Sequence, residues 1–185
     1  KTETGGILYY STAPSKFKKK RKTKNLFTGF LYWVPEETHQ LNSNELSKIN
    51  LKSGNYLKKD TLILTDTISK VSGYVTIDTT NSEIIIKPGE LYQINDETNV
   101  TEKTNRFIDK GELIFTKFGN IIAQKLSYIE FLTFSGIKYV LIRPVQKYKI
   151  PHDKGFLMKH RFFPNHDSRG IAFRTVKRIF YKEKN

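Results

Sequence analysis

The acidic side chains of this sequence are the first candidates for chemistry, because paired carboxylates can hold a metal ion or move protons. They are dispersed, and Glu36-Glu37 and Asp96-Glu97 are the only adjacent pairs. Neither pair repeats the alternating spacing that places several carboxylates around one magnesium ion. The sequence therefore predicts no acidic metal centre.

Other residue types that could support catalysis or cofactor binding are equally isolated. The four histidines form no His-x-x-x-His or His-Glu-x-x-His pair, and the chain has no cysteine. It contains no Gly-rich phosphate loop and no Gly-x-Ser-x-Gly nucleophile motif. Lys70 lies in neither sequence setting of a biotinyl or lipoyl lysine. We predict no catalytic residue, no cofactor and no metal site in this chain.

Positive charge is the strongest chemical signal, and it is concentrated at the two ends. The net charge is +14, and residues 1–24 sum to +7, residues 25–146 to −1 and residues 147–185 to +8. A charge-balanced body with two basic ends is typical of a protein that meets nucleic acid or an acidic partner surface.

Two stretches carry the candidate contact residues. Seven of the nine residues from Lys16 to Lys24 are basic, and aromatic residues alternate with arginine and lysine after residue 160. Such residues neutralise phosphates and stack on bases. A solvated basic loop and an ordinary strand core remain open as alternatives. The predicted contact residues are Lys18, Lys19, Lys20, Arg21, Lys22, Lys24, Arg161, Arg169, Arg174, Lys177 and Arg178.

The elements that position these residues should be short strands. Phe27 to Val34 is aromatic and β-branched throughout, and Pro35 ends that run. From residue 49 to 150, short apolar runs alternate with breaks rich in Gly, Asn, Asp or Lys every eight to twelve residues. This spacing predicts an all-β sandwich or barrel fold with little helix.

An internal repeat supports that prediction. The segment from Ile84 to Ile94 matches the segment from Val140 to Ile150, 56 residues later, through three apolar residues, a base, Pro, and a later Tyr and Ile. We also align two pairs of turn dipeptides, Gly54-Asn55 with Gly119-Asn120 and Ser72-Gly73 with Ser135-Gly136. The chain thus holds two copies of one β unit.

We divide the chain into four segments on this basis. Residues 1–48 form a basic arm and an aromatic strand, 49–95 the first β unit, 96–150 the second unit, and 151–185 a basic segment that starts a further unit. The predicted core residues are Phe30, Tyr32, Leu62, Ile63, Val75, Ile85, Leu113, Ile121, Leu126, Phe131, Leu141 and Ile150.

Several blocks of the sequence resemble the β″ subunit of plastid RNA polymerase. The specific ones are Phe30-Leu-Tyr-Trp-Val-Pro-Glu-Glu-Thr-His39 and Ile86-Lys-Pro-Gly-Glu-Leu-Tyr92, and Gly54 to Ile63 and Val71 to Val75 support them. In that family such a region belongs to a long insertion in the mobile trigger loop, built of tandem sandwich-barrel hybrid motifs. The resemblance therefore implies an all-β chain of such motifs, in agreement with the repeat.

The resemblance also implies a function. It points to a non-catalytic part of a DNA-directed RNA polymerase, a nucleotidyltransferase active in chloroplast transcription, because the family's Asn-Ala-Asp-Phe-Asp-Gly-Asp cluster is absent. The expected partners are the β, β′ and α subunits, and DNA or RNA at the basic ends, with no membrane and no small-molecule substrate. The Lys-, Ile- and Asn-rich composition suits an AT-rich plastid gene, and a start without Met suggests a fragment.

A free-standing RNA- or DNA-binding β module, such as a ribosomal accessory protein, is the alternative. A standalone binder should keep micromolar affinity at physiological salt with a steep salt dependence, whereas a polymerase insert should bind feebly.

Overall fold

The structure is a computed structural model, and it describes residues 4–13, 28–42, 45, 49–64, 66–94, 104–149 and 174–179. Within these ranges it contains sixteen strands and a single helical residue, Glu45. The all-β prediction is confirmed. Among the described residues we find no helical segment with the length and hydrophobicity of a membrane span. The strands are β1 (Gly6–Ala13), β2 (Thr28–Pro35), β3 (Glu37–Gln40), β4 (Tyr56–Leu57), β5 (Leu62–Leu64), β6 (Thr67–Ile68), β7 (Gly73–Asp78), β8 (Glu83–Lys87), β9 (Glu90–Gln93), β10 (Arg106–Ile108), β11 (Leu113–Thr116), β12 (Gly119–Ile122), β13 (Ser127–Phe134), β14 (Ile137–Pro144), β15 (Gln146–Lys149) and β16 (Arg174–Ile179).

Three four-stranded antiparallel sheets share one plan. Sheet I has the order β3-β8-β7-β4, sheet II has β9-β14-β13-β10, and sheet III has β15-β2-β1-β16. In each sheet two consecutive strands pair at the centre, and one short strand lies at either edge. The small hairpins β5-β6 and β11-β12 accompany sheets I and II. Sheet III is thus a third copy of the unit, assembled from both ends of the sequence.

A proline lies at each of three points where the chain leaves one sheet and its next strand joins another. Pro35, Pro88 and Pro144 lie at or just after the ends of the central strands β2, β8 and β14. Proline has no N–H for the ladder, so pairing with the previous partner stops there, and the following strand joins another sheet. As a result β9 pairs with β14 and β15 pairs with β2, and strand pairing crosses the segment boundaries at 48 and 95.

The strand that follows each proline contains the same hydrogen bond between side chains two residues apart. The pairs are His39 with Glu37 at 2.7 Å, Tyr92 with Glu90 at 2.6 Å, and Tyr148 with Gln146 at 2.5 Å. Side chains two residues apart lie on the same face of a strand, so they are close enough to form a hydrogen bond. Its recurrence after all three prolines confirms that β3, β9 and β15 occupy equivalent places.

Backbone hydrogen bonds also relate the two hairpins, and they correct the alignment of the turns. Asp60 N–H donates to Ser69 O at 2.7 Å, as Gly111 N–H donates to Ala123 O at 2.8 Å, and both donors have positive φ. The equivalent of β11-β12 is therefore β5-β6, and Gly54-Asn55 is not equivalent to Gly119-Asn120. Likewise Ser135-Gly136 forms the β13-β14 turn, whereas Gly73 begins β7. Loops of unequal length shift the alignment along the repeat.

The interior consists of one apolar cluster per sheet. The aromatic cluster of sheet III joins it to sheet II. The Tyr9 ring contacts Phe107 and Tyr128, and the Tyr32 ring contacts Phe107, with centroids 5.1–5.3 Å apart. Burial, then the hydrogen bond with Tyr9, raises the pKa of Tyr128, so its hydroxyl stays protonated. Sheets II and III are thus packed into one body.

Most of the predicted core residues that the structure describes contribute to the interior. Two assignments are wrong, because Leu62 is 61% exposed and Leu113 is 51% exposed, and their neighbours Ile63 and Ile114 point inward instead. A register error of one residue exchanges the faces of a strand. Ile150 lies outside the described residues. The buried members are Tyr32, Ile63, Val75, Ile85 and Leu141, and the half-buried ones are Phe30, Ile121, Leu126 and Phe131.

Candidate nucleic-acid interface and buried ion-pair network

The predicted contact residues fall into two groups. Three of them, Arg174, Lys177 and Arg178, lie on β16, where they pair in register with Tyr10, Leu8 and Ile7 of β1. Because β16 is an edge strand of sheet III, their backbone lies at the border of that sheet. The others, namely Lys18, Lys19, Lys20, Arg21, Lys22, Lys24, Arg161 and Arg169, lie outside the described residues.

Formal charge is unevenly divided among the three sheets. The strands of sheet I contain one cation and three acids, and those of sheet II contain three cations and two acids. The strands of sheet III contain five cations and no acid. Lys147 and Lys149 on β15 belong to this set, and sequence reasoning missed them. Both lysines are evident in the sequence, but only the pairing of β15 with β2 shows that they lie on one edge of sheet III while β16 forms the other edge.

Strand register shows that the two basic stretches are attached to the same end of sheet III. Ala13 pairs with Thr28, at the end of the sheet where β1 ends and β2 begins. The last residue of β15, Lys149, pairs with Phe30, and the first residue of β16, Arg174, pairs with Tyr10. The end of β1, the beginning of β2, the end of β15 and the beginning of β16 therefore lie at the same end of sheet III.

Lys147 contacts the aromatic residues of β2. Its Nζ lies 4.3 Å from the ring centroid of Phe30 and 5.5 Å from that of Tyr32. All four residues of β15 are exposed. A cation over an aromatic face gains about 0.5–1 kcal/mol at an exposed site. The rings thus hold the ammonium group at the surface of the sheet.

A buried network of four charged side chains joins the three sheets. The Arg143 guanidinium donates to Glu130 Oε2 at 2.9 Å, to Glu36 Oε2 at 3.1 Å and to the Pro35 carbonyl at 2.7 Å. Lys87 Nζ donates to Glu130 Oε1 at 2.5 Å. The Arg143 side chain is fully buried, and Glu36 is 2% exposed. Two cations and two anions cancel, so burial leaves no net charge.

The electrostatics of Glu130 follow from this environment. Burial by itself would raise the pKa of Glu130, but the positive charges of Lys87 and Arg143 outweigh it and hold the pKa below its ordinary value of 4.5. The carboxylate is therefore ionised at neutral pH and bonded on both oxygens. Sequence reasoning missed this network, although a base just before a proline at the end of an apolar strand was a signal for it.

Another buried carboxylate, outside this network, fixes the loop before β7. Glu37 Oε2 accepts hydrogen bonds from the backbone N–H groups of Lys70 at 2.8 Å and Val71 at 3.0 Å. A cavity of about 260 Å³ beside it is lined by polar residues that include His39, Asp66 and Lys70. Among the described residues, no group of three or more His, Cys, Asp or Glu could hold a metal ion.

Comparison with known proteins relates the chain to one group. No protein-family model matches it. It is 36% identical over 185 residues to the DNA-directed RNA polymerase subunit β″ of Emiliania huxleyi, covering 98% of this chain and 14% of that protein. The corresponding subunit of Porphyra purpurea is 34% identical over 190 residues, covering 99% of this chain and 15% of that protein.

A third relative extends the same result. The β″ subunit of Paulinella chromatophora is 32% identical over 161 residues, or 82% of this chain and 11% of that protein. The chain therefore spans about a seventh of the length of the curated relatives it matches. These matches confirm the resemblance carried by the Trp-Val-Pro-Glu-Glu-Thr-His and Lys-Pro-Gly-Glu-Leu-Tyr blocks. By homology along nearly its whole length, the chain belongs to the β″ subunits of DNA-directed RNA polymerase, of which it corresponds to one segment.

Proposed function

We propose that this chain is a non-catalytic module of a plastid RNA polymerase β″ subunit and that it acts in transcription as an insertion within the trigger loop. The observation that carries the proposal is homology to β″ subunits over 98% of the chain, which includes all three sheets. The trigger-loop position and the plastid location come from the resemblance to that family.

The non-catalytic role is supported by the use of the buried charges. Arg143, Lys87, Glu130 and Glu36 bond to one another, and the Arg143 side chain is inaccessible to a substrate. A catalytic acid or base must reach the reacting group within hydrogen-bond distance. The network is instead suited to holding three sheets in one arrangement.

Apolar surface on the small hairpins supports contact with other polymerase subunits. Leu113 and Ile122 pair across β11-β12, and both are about half exposed, as is Phe115. Leu62 and Ile68 form the equivalent exposed pair on β5-β6. Clustered exposed apolar residues mark protein contact surfaces. We propose the β, β′ and α subunits as the partners.

The test is removal of the segment from a complete β″ subunit in the assembled polymerase, with a short flexible linker in its place. We expect altered elongation and pausing, because a body attached to the trigger loop biases its closure. A full-length β″ with Arg106→Met, which removes an ion pair near the surface and a 3.4 Å hydrogen bond to the Phe107 carbonyl, is the control. Unchanged elongation, pausing and subunit association in the deletion variant would reject the proposal.

A further inference from the structure

We propose that the outer face of the β11-β12 hairpin is a docking site for an acidic amphipathic segment of another polymerase subunit, one that carries both apolar side chains and carboxylates. The outer face consists of Leu113 and Phe115 on β11 and Ile122 on β12, with Phe118 at the tip. The inference rests on the proposed function in that a polymerase supplies the partner. It adds the chemistry of that partner and selects one of the two small hairpins.

Strand register places these side chains on one face. Exposed and buried residues alternate along β11, so Leu113 and Phe115 face outward while Ile114 between them is buried. Leu113 pairs with Ile122, which puts Ile122 beside it on the outer face. These three outward residues are about half exposed, and Phe118 is 84% exposed. Large apolar side chains clustered on a surface in this way mark a contact site.

A cavity at the base of the hairpin continues the outer face. Its volume is about 330 Å³, and its mainly apolar lining includes Ile121 and Ile122 of β12. The charged residues of the lining are Glu90, Lys125 and Arg143, and the buried network neutralises Arg143. The side chains that contribute most to protein interfaces fill pockets of this kind. An apolar anchor of the partner can enter the cavity while its neighbours lie along the hairpin.

Lysines lie at both ends of the outer face. Lys117 is at the tip, and Lys110 and Lys125 are at the base, where Gly111 N–H donates to Ala123 O at 2.8 Å. All three lysines are exposed. Charge complementarity across an interface selects the partner and sets its orientation. Carboxylates at the two ends of an apolar stripe would match this arrangement.

The nearby carboxylates do not cancel the positive charge. Glu112 pairs with Arg106 at 2.8 Å, and the hydrogen bond with Arg106 lowers the pKa of Glu112, so this pair is ionised and neutral overall. Between residues 104 and 125 this leaves three lysines against Asp109. Inclusion of Glu90, beside the cavity, still leaves the balance positive. The site is therefore suited to an acidic partner.

The equivalent hairpin β5-β6 also has an exposed apolar pair, but its tip carries the opposite charge. Leu62 is 61% exposed and Ile68 is 50% exposed, and they pair across that hairpin. The tip residue before β6 is the exposed Asp66, whereas the tip of β11-β12 has Lys117 and Phe118. An acidic segment is attracted to Lys117 and repelled by Asp66. The β5-β6 hairpin is therefore an internal control.

Other occupants fit the outer face less well. Two β11-β12 faces from two copies of the chain would bring lysine against lysine in either strand direction, because lysines lie at both ends. Nucleic acid is bound through stacking aromatic residues and cations, whereas Leu113 and Ile122 are aliphatic. Apolar side chains flanked by carboxylates match both the face and its charges.

The first experiment measures binding of the full chain to two synthetic helical peptides of about 18 residues at about 0.15 M salt. Both peptides have leucine on one face, and the other face carries glutamate in one peptide and lysine in the other. The variants are Leu113→Ser with Phe118→Ser, and Lys117→Glu, and their controls are Leu62→Ser with Ile68→Ser, and Lys52→Glu, an exposed lysine outside the hairpin. Residues 16–24 are unchanged in every variant, so differences in affinity report on the hairpins.

We expect the glutamate peptide to bind more tightly than the lysine peptide. Leu113→Ser with Phe118→Ser should weaken its binding about tenfold or more, because apolar contact area is lost. Lys117→Glu should weaken it about threefold or more, because an attraction becomes a repulsion. The two controls should bind it as the unmodified chain does. Thermal unfolding of each variant verifies that these exposed substitutions leave the fold intact.

The second experiment identifies the partner in the assembled polymerase. A complete β″ subunit carries the photo-cross-linking residue p-benzoylphenylalanine in place of Phe118 or, as the control, in place of Ile68. We expect Phe118, which is 84% exposed, to be replaced without loss of assembly and to give a cross-link to a segment of another subunit that contains both apolar and acidic residues. The control position should give no cross-link to that segment.

Several results would overturn the inference. They are an equal loss of affinity in the controls, equal or tighter binding of the lysine peptide, and a position 118 that cross-links to nucleic acid, to a second copy of the chain or to no subunit. None of these bears on the deletion experiment, which measures elongation and pausing. Conversely, an unaltered polymerase after deletion would reject the proposed function and leave the peptide measurement on the isolated chain intact.

Discussion

Arg143 is the residue on which the arrangement of the sheets depends most. Its guanidinium contacts Glu130 of sheet II, Glu36 after β2, and the carbonyl of Pro35. A buried ion pair adds little stability relative to an apolar replacement of the whole set, because desolvation offsets the attraction. Removing one member alone is different, since its partners remain buried with uncompensated charge.

We therefore expect Arg143→Met to lower the free energy of unfolding by about 3–5 kcal/mol. The measurement is urea unfolding followed by circular dichroism. The matched control is Arg106→Met, because Arg106 pairs with Glu112 at 2.8 Å with the side chains 47% and 40% exposed, and pairs near the surface contribute less than about 1 kcal/mol. Equal losses in the two variants would contradict the role given to the network.

At the scale of single elements, two glycines serve different purposes. Gly111 has φ of +94° before β11, where an added Cβ would have no atom within 4 Å, so only backbone conformation constrains it. Gly73 begins β7, where an added Cβ would lie 2.5 Å from the Lys87 carbonyl oxygen. That position needs glycine because β7 and the end of β8 approach closely.

We expect Gly111→Ala to destabilise the protein by about 1 kcal/mol, through backbone strain at positive φ alone. Gly73→Ala should cost about 3 kcal/mol or more, because the β7-β8 backbone must move. Chemical denaturation of both variants gives the comparison. Gly111→Asn serves as the control, since asparagine tolerates positive φ and should lose less than alanine. A smaller loss at Gly73 than at Gly111 would refute the steric argument.

On the scale of the whole molecule, the ion-pair network and the aromatic cluster couple the three sheets. Tyr9 and Tyr32 of sheet III pack against Phe107 and Tyr128 of sheet II. Lys87 at the end of β8 binds Glu130 of β13, which connects sheet I to sheet II. A unit of this size buries little apolar surface by itself, so the sheets should unfold together.

Unfolding at acidic pH should test whether the three sheets unfold together. The pKa of Glu130 is lower in the folded chain than its ordinary value of 4.5, so its contribution to stability is complete above about pH 4.5 and is lost as the pH falls below that. We expect the free energy of unfolding to decrease with falling pH over that range. Fluorescence of Trp33, the single tryptophan, and far-ultraviolet circular dichroism should change together.

The control for this experiment is Glu130→Gln, which removes the titrating group and should flatten the pH dependence below pH 4.5. Glu112→Gln removes a second carboxyl whose pKa is lowered, first by its hydrogen bond with Arg106, and tests how much of the dependence is local. Separate transitions for Trp33 and for the circular dichroism signal would show that the sheets unfold independently.

Much of the fold could be predicted from local pattern. Strand-forming runs, turn residues and the repeated base-Pro-Tyr segment indicated an all-β chain of repeated units, because these signals depend on neighbours in sequence. Local pattern did not predict which face of each small hairpin is buried. Leu62 and Ile63 have similar side chains, and only packing against the body decides that Ile63 is buried and Leu62 is exposed.

The sequence alone determined the fold class, the duplication, the concentration of positive charge and, through its motifs, the family. Only the tertiary structure decided that the chain crosses between sheets at Pro35 as it does at Pro88 and Pro144, and that β15 and β16 form the two edges of one sheet. It also decided that Lys87 and Arg143 both bind Glu130. The physical reason is that these contacts join residues far apart in the chain. Which charged side chains form ion pairs depends on how the sheets pack against one another. Side-chain type and spacing along the chain do not predict that packing.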